Sequence, residues 1–313
     1  MMTVENVVLV GIDGSPASLN ALDWAAQHAR VHGYGLHLVC AYSVPSFTAT
    51  ALDGGYAAID DTAIQDGARA VLQEAVERVR PSGVRTTSAV ATGDAAAVMV
   101  ELSRGAATVV VGTRGRGGFA ERLLGTVSSA LPAHAHCPTV VVPYRPEHEG
   151  REPEPSAPRV RRIVVGVDGS PAAEAALSCA IRQAEIWDAE LTAVAGVPVG
   201  SGTGILAWLP SSVDHEAVLR DVAEGLDVVV DRALADHPGV QVRRHVLDGT
   251  GAALLTEFST AVDLVVVGSR GRGGFAGLLL GSTSQAVLHH AVCPVMVVTS
   301  RRREEWSPTS VAG

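Results

Sequence analysis

Short apolar runs rich in valine, leucine and isoleucine punctuate the first half of the chain at 7–12, 36–41, 84–90, 108–111 and 139–142. They are too short for helices, and they are apolar at consecutive rather than alternate positions, which is the pattern of strands buried on both faces. Between them, the segments 17–32, 62–80, 95–103 and 126–134 place apolar residues three and four apart, the period of an amphipathic helix. Buried strands separated by helices predict a parallel sheet covered on both sides, the doubly wound α/β class. The second half repeats the plan, with strands predicted at 163–167, 191–195, 240–246, 264–267 and 295–298.

The repetition extends to individual residues. "VVLVGIDGSPAS" near the start returns as "IVVGVDGSPAA", and "VVVGTRGRGGFAERLLGT" returns as "VVVGSRGRGGFAGLLLGS". Asp13 and Asp168 are 155 positions apart, while Gly112 and Gly268, like Cys137 and Cys293, are 156 apart. An offset held to one residue over most of the chain means a duplicated domain. The copies are expected at residues 1–146 and 161–300, with a proline- and charge-rich linker at 147–160 and a tail at 301–313. The architecture predicted is two tandem, doubly wound, five-stranded parallel sheets, Rossmann-like in kind.

Composition narrows the chemistry. With 313 residues, 47 % of them hydrophobic, each half can bury its own core. A formal charge of −9 and only 4 % aromatic residues argue against nucleic acid or an anionic membrane as partner. The chain contains no lysine, so Schiff-base chemistry and a Walker-type lysine on phosphate are excluded. Its four cysteines form no C-x-x-C pair, which suits reduced thiols. The apolar run at the N-terminus falls well short of the ~20 residues of a membrane span. The expected location is the cytoplasm.

The glycines at the ends of the fourth strands carry the chemistry. In doubly wound sheets ligands bind beyond the carboxyl ends of the strands, where the strand order reverses. Asp13 and Asp168 end the first strands there, and Gly112 and Gly268 the fourth. Glycines between a buried strand and a helix expose main-chain N–H groups, and the unpaired amides of the helix start complete an anion site without any lysine. The spacing Gly112-x2-Gly115-x9-Gly125-Thr126 is matched by Gly268-x2-Gly271-x9-Gly281-Ser282. A tight turn needs no such detail. Arg114, Arg116, Arg270 and Arg272 lie in these loops and bring guanidinium groups suited either to phosphate or to a solvated loop face.

With "GIDGSPAS" at the first strand and this doubled glycine frame after the fourth, the sequence resembles the ATP-binding branch of the universal stress proteins, in its tandem two-domain form. The resemblance covers nearly all of the chain outside linker and tail. It implies one ATP in each domain, two per chain, with Mg near Asp13 and Asp168. It places Ile12, Asp13 and Ala41 at the nucleoside of the first site, Val111 and Gly112 at the ribose, and Arg114, Gly115, Gly125, Thr126, Val127 and Ser128 at the phosphates. The second set it implies is Val167, Asp168, Gly196, Val267, Gly268, Arg270, Gly271, Gly281, Ser282, Thr283 and Ser284. Ala41 and Gly196 stand where the family often has valine, which implies looser packing on adenine. The resemblance also implies cross-pairing of the last strands of the two copies, a homodimer of chains, and an unidentified protein partner that reads the nucleotide state.

Other signals carry less. His134, His136 and Cys137, like His289, His290 and Cys293, lack a complete four-ligand set, and histidine near a helix C-terminus is favourable without metal. Asp94, Glu101, Asp248 and Glu257 form no carboxylate pair around a substrate, and no G-x-S-x-G elbow is present. No catalytic residue is assigned, and at most slow ATP hydrolysis is expected. The alternatives on residues alone are an adenine-nucleotide-dependent enzyme of related fold, a cyclic-AMP-binding protein and a purely dimerising module.

Overall fold

The computed structural model describes residues 6–43, 61–113, 115, 124–144, 159–198, 214–272 and 279–299. The first half runs β1 (Val7–Gly11), α1 (Pro16–His32), β2 (Gly35–Tyr42), α2 (Asp61–Val79), β3 (Thr86–Thr92), α3 (Ala95–Leu102), β4 (Thr108–Gly112), α4 (Thr126–His134) and β5 (Thr139–Val142). The second half runs β6 (Arg162–Gly166), α5 (Pro171–Trp187), β7 (Glu190–Val197), α6 (His215–Leu234), β8 (Val242–Asp248), α7 (Gly251–Phe258), β9 (Leu264–Gly268), α8 (Ser282–His290) and β10 (Val295–Val298).

The two halves form one sheet. Its order is β3-β2-β1-β4-β5-β10-β9-β6-β7-β8, parallel within each half. At the junction β10 pairs antiparallel with β5, setting Val295 opposite Val141, Met296 opposite Val140 and Val297 opposite Thr139. All eight residues of these two strands are buried. The expected cross-pairing of the last strands is thus present within the chain, and it covers two apolar edges that would otherwise invite association with other chains. Because the junction is antiparallel, the strands of the two halves point in opposite directions.

Helices cover both faces. Val140, Val142, Met296 and Val298 face the cluster under α1, α2, α5 and α6, while Val141, Val295 and Val297 face the cluster under α3, α4, α7 and α8. Each buried valine contributes on the order of 1.5–3 kcal/mol of apolar transfer, so the junction is held by its own core.

The sequence places the strand starts to within one residue except at β3 and β8. Both begin two residues later than their apolar runs suggest. Val84 and Val240 pack on the core while still in the preceding turns, where Val84 N donates to Ser82 Oγ (3.3 Å) and Val240 N to the His237 carbonyl (3.1 Å). Ladder pairing starts only with Thr86 and Val242. All four cysteines are buried and none is in a disulfide. Among the described residues no helix is long and apolar enough to cross a membrane.

Candidate functional site

In each half the order of strands reverses between the first and fourth, β1 and β4 or β6 and β9. In doubly wound sheets ligands bind beyond the carboxyl ends at that reversal. Two helices begin there. The first, α1, starts with Pro16 behind an extended Ser15, whose hydroxyl accepts from Ser18 N (3.2 Å); α5 starts with Pro171 behind Ser170, which accepts from Ala173 N (3.2 Å). Proline is suited to that first position because its missing N–H would have no helical partner. The second helix of each site, α4 or α8, begins after the glycine loop at Thr126 or Ser282.

The aspartate at the end of the first strand ties these parts together. Asp13 Oδ1 accepts Ser15 N (3.0 Å) and Ser15 Oγ (2.6 Å), an Asx turn that fixes the carboxylate beside the start of α1. In the second half Asp168 Oδ1 accepts Ser170 N (2.9 Å) and its Oδ2 accepts Arg272 N (2.9 Å), while Ser170 Oγ donates to the Arg270 carbonyl (3.3 Å). The glycine loop is therefore latched to the end of the first strand. A Cβ on Gly115 would collide with Asp13 Oδ2, and one on Gly271 with Asp168 Oδ2. These two glycines are where the loop and the carboxylate touch.

A second clasp closes the loop on itself. Gly125 N donates to the Thr113 carbonyl (2.8 Å) and approaches Ser128 Oγ (2.9 Å), and Ser128 Oγ lies 2.8 Å from the same carbonyl. The second half repeats this with Gly281 N on Ser269 O (2.7 Å) and Ser284 Oγ on Ser269 O (3.1 Å). Ser128 and Ser284 are buried, so their hydroxyls serve the loop and what they can offer a ligand is their main-chain N–H. The amides of Thr126, Val127 and Ser128, and of Ser282, Thr283 and Ser284, are the first three of their helices and have no carbonyl one turn back. Aligned peptide dipoles add positive potential at the same place.

Several expected site residues prove to have structural duties. Ile12 and Val167 turn their side chains into one core and Val111 and Val267 into the other, leaving only main chain for a ligand. The amides of Ile12 and Val167 are already bonded to Val39 O and Val194 O, both at 2.9 Å. A Cβ on Gly112 would lie 2.5 Å from the Ala17 carbonyl oxygen, and one on Gly268 lies 2.7 Å from the Ala172 carbonyl carbon, so glycine is required there for β4 and β9 to pass the first turns of α1 and α5. Gly196 has the same kind of reason. A Cβ would meet Gly249 O and Gly251 N, each at 2.9 Å, so its small size serves the turn after β8. Ala41 is half-buried near the end of β2, paired in register with Ala91. Arg270 and Arg272 are exposed, with the Arg272 guanidinium beside Gly169, whereas Arg114 and Arg116 lie outside the described residues.

Residues 6–143 and 159–299 each match the model of the universal stress protein family. The chain belongs to that family. The universal stress protein Rv2623 of Mycobacterium tuberculosis is 35 % identical over 300 residues, covering 93 % of this chain and 95 % of that one. A second protein of that organism, universal stress protein Rv1996, is 32 % identical over 312 residues, covering 93 % and 94 %. Among solved structures, a universal stress protein from Archaeoglobus fulgidus superposes with a TM-score of 0.68 at 21 % identity, covering 95 % of this chain and 99 % of that one, which shows a shared fold. Both halves of this universal stress protein thus carry the Asp–glycine-loop–helix frame of one domain type.

Ser15 and Ser170 are the site residues that sequence reasoning passed over. Their signal was present in the repeated D-G-S-P: an aspartate two residues before a serine, with proline next, specifies an Asx turn capped into a helix.

Proposed function

We propose that each half binds one adenine nucleotide, ATP with Mg, and that the chain acts in the cytoplasm, as a homodimer, as a nucleotide-responsive regulator read by a protein partner. The observation that carries this reading is the latched loop: bare glycine backbone, an aspartate and three unpaired helix amides converge at the switch point, and they do so twice. The helix amides would hold phosphate oxygens, and the absent side chains at Gly115 and Gly271 leave the main chain open to close approach. A triphosphate beside the carboxylate of Asp13 or Asp168 would be repelled, so a divalent cation between them belongs to the reading. Magnesium would supply that charge neutralisation.

We propose no turnover beyond slow hydrolysis: among the described residues the loop arginines, Arg270 and Arg272, are exposed rather than fixed against a phosphate position. Freshly purified protein, extracted with acid and analysed by nucleotide chromatography, is expected to release ATP approaching two per chain. Recovery of cyclic AMP would replace ATP in the reading. Failure to retain or to bind any adenine nucleotide in calorimetry would overturn it.

A further inference from the structure

Pairing of β5 with β10 at the centre leaves the sheet with two outer edges, β3 and β8. They are unlike. β8 reads VRRHVLD, and its arginines are engaged: Arg243 Nη1 lies 2.9 Å from Glu190 Oε2, while Arg244 pairs with Asp227 (2.9 Å) and with Asp231 of α6. Charged side chains along an edge deter pairing with another strand. β3 reads TTSAVAT, without charge or proline, and its Thr86, Thr87, Val90 and Thr92 are β-branched residues that favour strands.

The main chain of β3 is sorted by parity. Leu36 N donates to the Arg85 carbonyl (2.9 Å) and Gly93 N to the Tyr42 carbonyl (2.8 Å), so odd-numbered residues turn their N–H and C=O groups toward β2. Those of Thr86, Ser88, Val90 and Thr92 point along the outer edge. Among the described residues no strand takes them, and no residue of β3 is buried.

This row is complementary to itself. Two copies related by a two-fold axis at Ala89 would run antiparallel, with Thr86 opposite Thr92 and Ser88 opposite Val90. Each such pair would exchange both main-chain bonds, on the order of eight in all. A slip of one residue would set outward groups against inward ones. The flanks agree in charge. Arg85 is exposed and in no ion pair among the described residues, and this arrangement carries it to the end of the other copy's β3, where Asp94 caps α3. The same operation on β8 would crowd Arg243 and Arg244 of both copies onto one short ladder, where like charges destabilise.

We propose that β3 is a self-association surface, on which a second copy of this chain pairs antiparallel with Ala89 on the axis. This names the surface of the homodimer proposed above and does not rest on nucleotide binding.

The test is sedimentation of the full chain and its variants. The parent is expected to dimerise with Kd about 10 μM or tighter. Ser88→Pro removes an outward N–H and leaves the bonds to β2 in place, and it should weaken the dimer at least about tenfold. Ser88→Lys keeps the main chain, adds charge at an exposed position and should do the same, so the result does not hang on a proline variant that fails to fold. Disulfide trapping with oxidised glutathione reads the register. Ala89→Cys would face its own counterpart in a non-hydrogen-bonded pair, with Cα atoms about 4.5 Å apart, and should form a covalent dimer. Thr87→Cys, opposite Ala91, should not. A dimer indifferent to both Ser88 variants, or trapped equally through Thr87→Cys, would overturn this surface and leave the homodimer to another face. A monomeric parent would overturn the surface and the homodimer together, leaving the edge to an unlike strand.

Discussion

His28 lies flat against Trp24, ring centroids 4.9 Å apart and planes within 15° of parallel, and neither of its ring nitrogens has a hydrogen bond. It is fully buried, with Trp187 of the other half 6.2 Å away and His32 at 3.9 Å. The doubled α1–α5 surface thus meets itself through an aromatic and histidine seam in a chain with few aromatic residues.

That seam makes stability depend on pH. Burial, and secondarily His32, hold His28 well below its ordinary pKa of 6.5. The unfolded chain therefore takes up a proton that the folded chain refuses. The contribution is complete above about 6.5 and is lost as pH falls from there toward the depressed folded value. Urea midpoints are expected to drop between about pH 7 and pH 5. His28→Phe, which keeps the ring, should flatten that slope; an unchanged slope would assign the dependence to other groups.

Gly115→Ala and Gly112→Ala separate binding from folding. The first puts a methyl group on the Asp13 carboxylate at the loop latch, the second on the main chain of α1. Gly115→Ala should fold, and it should lower nucleotide content from two toward one per chain, with Gly271→Ala doing the same at the other site. Gly112→Ala should cost about 1–3 kcal/mol in denaturant unfolding, the scale of overpacking against a fixed backbone. Equal nucleotide content in Gly115→Ala and the parent would remove the latch from the binding site.

Adjacent serines on α4 should behave differently. Ser128→Ala deletes the hydroxyl that holds Gly125 N and the Thr113 carbonyl, at a cost of about 1–2 kcal/mol. Ser129→Ala removes an exposed hydroxyl bonded to Gly125 O and should stay within about 0.5 kcal/mol. Chemical denaturation of the two variants measures the difference, and similar losses would mean that the clasp adds nothing.

Much of this was legible in the sequence because it is local. The consecutive apolar runs specify the strands, and two glycine frames with matched spacing mark both loops. What a glycine is for was less legible. Gly112 and Gly196 look like openings for a ligand, yet each is dictated by a carbonyl or amide from an element distant in sequence. The seam was invisible for the same reason: nothing near His28 in the chain announces Trp187, and they meet only because β5 and β10 pair. Val84 and Val240 misled because an apolar residue can enter the core from a turn before its strand has begun pairing.

The antiparallel union of β5 with β10 has a consequence for how the molecule is seen from outside. Since the carboxyl ends of the two strand sets point away from each other, the two glycine-loop sites lie on opposite rims of one continuous sheet. A single chain is then two-headed, its two Asp–glycine frames facing opposite ways.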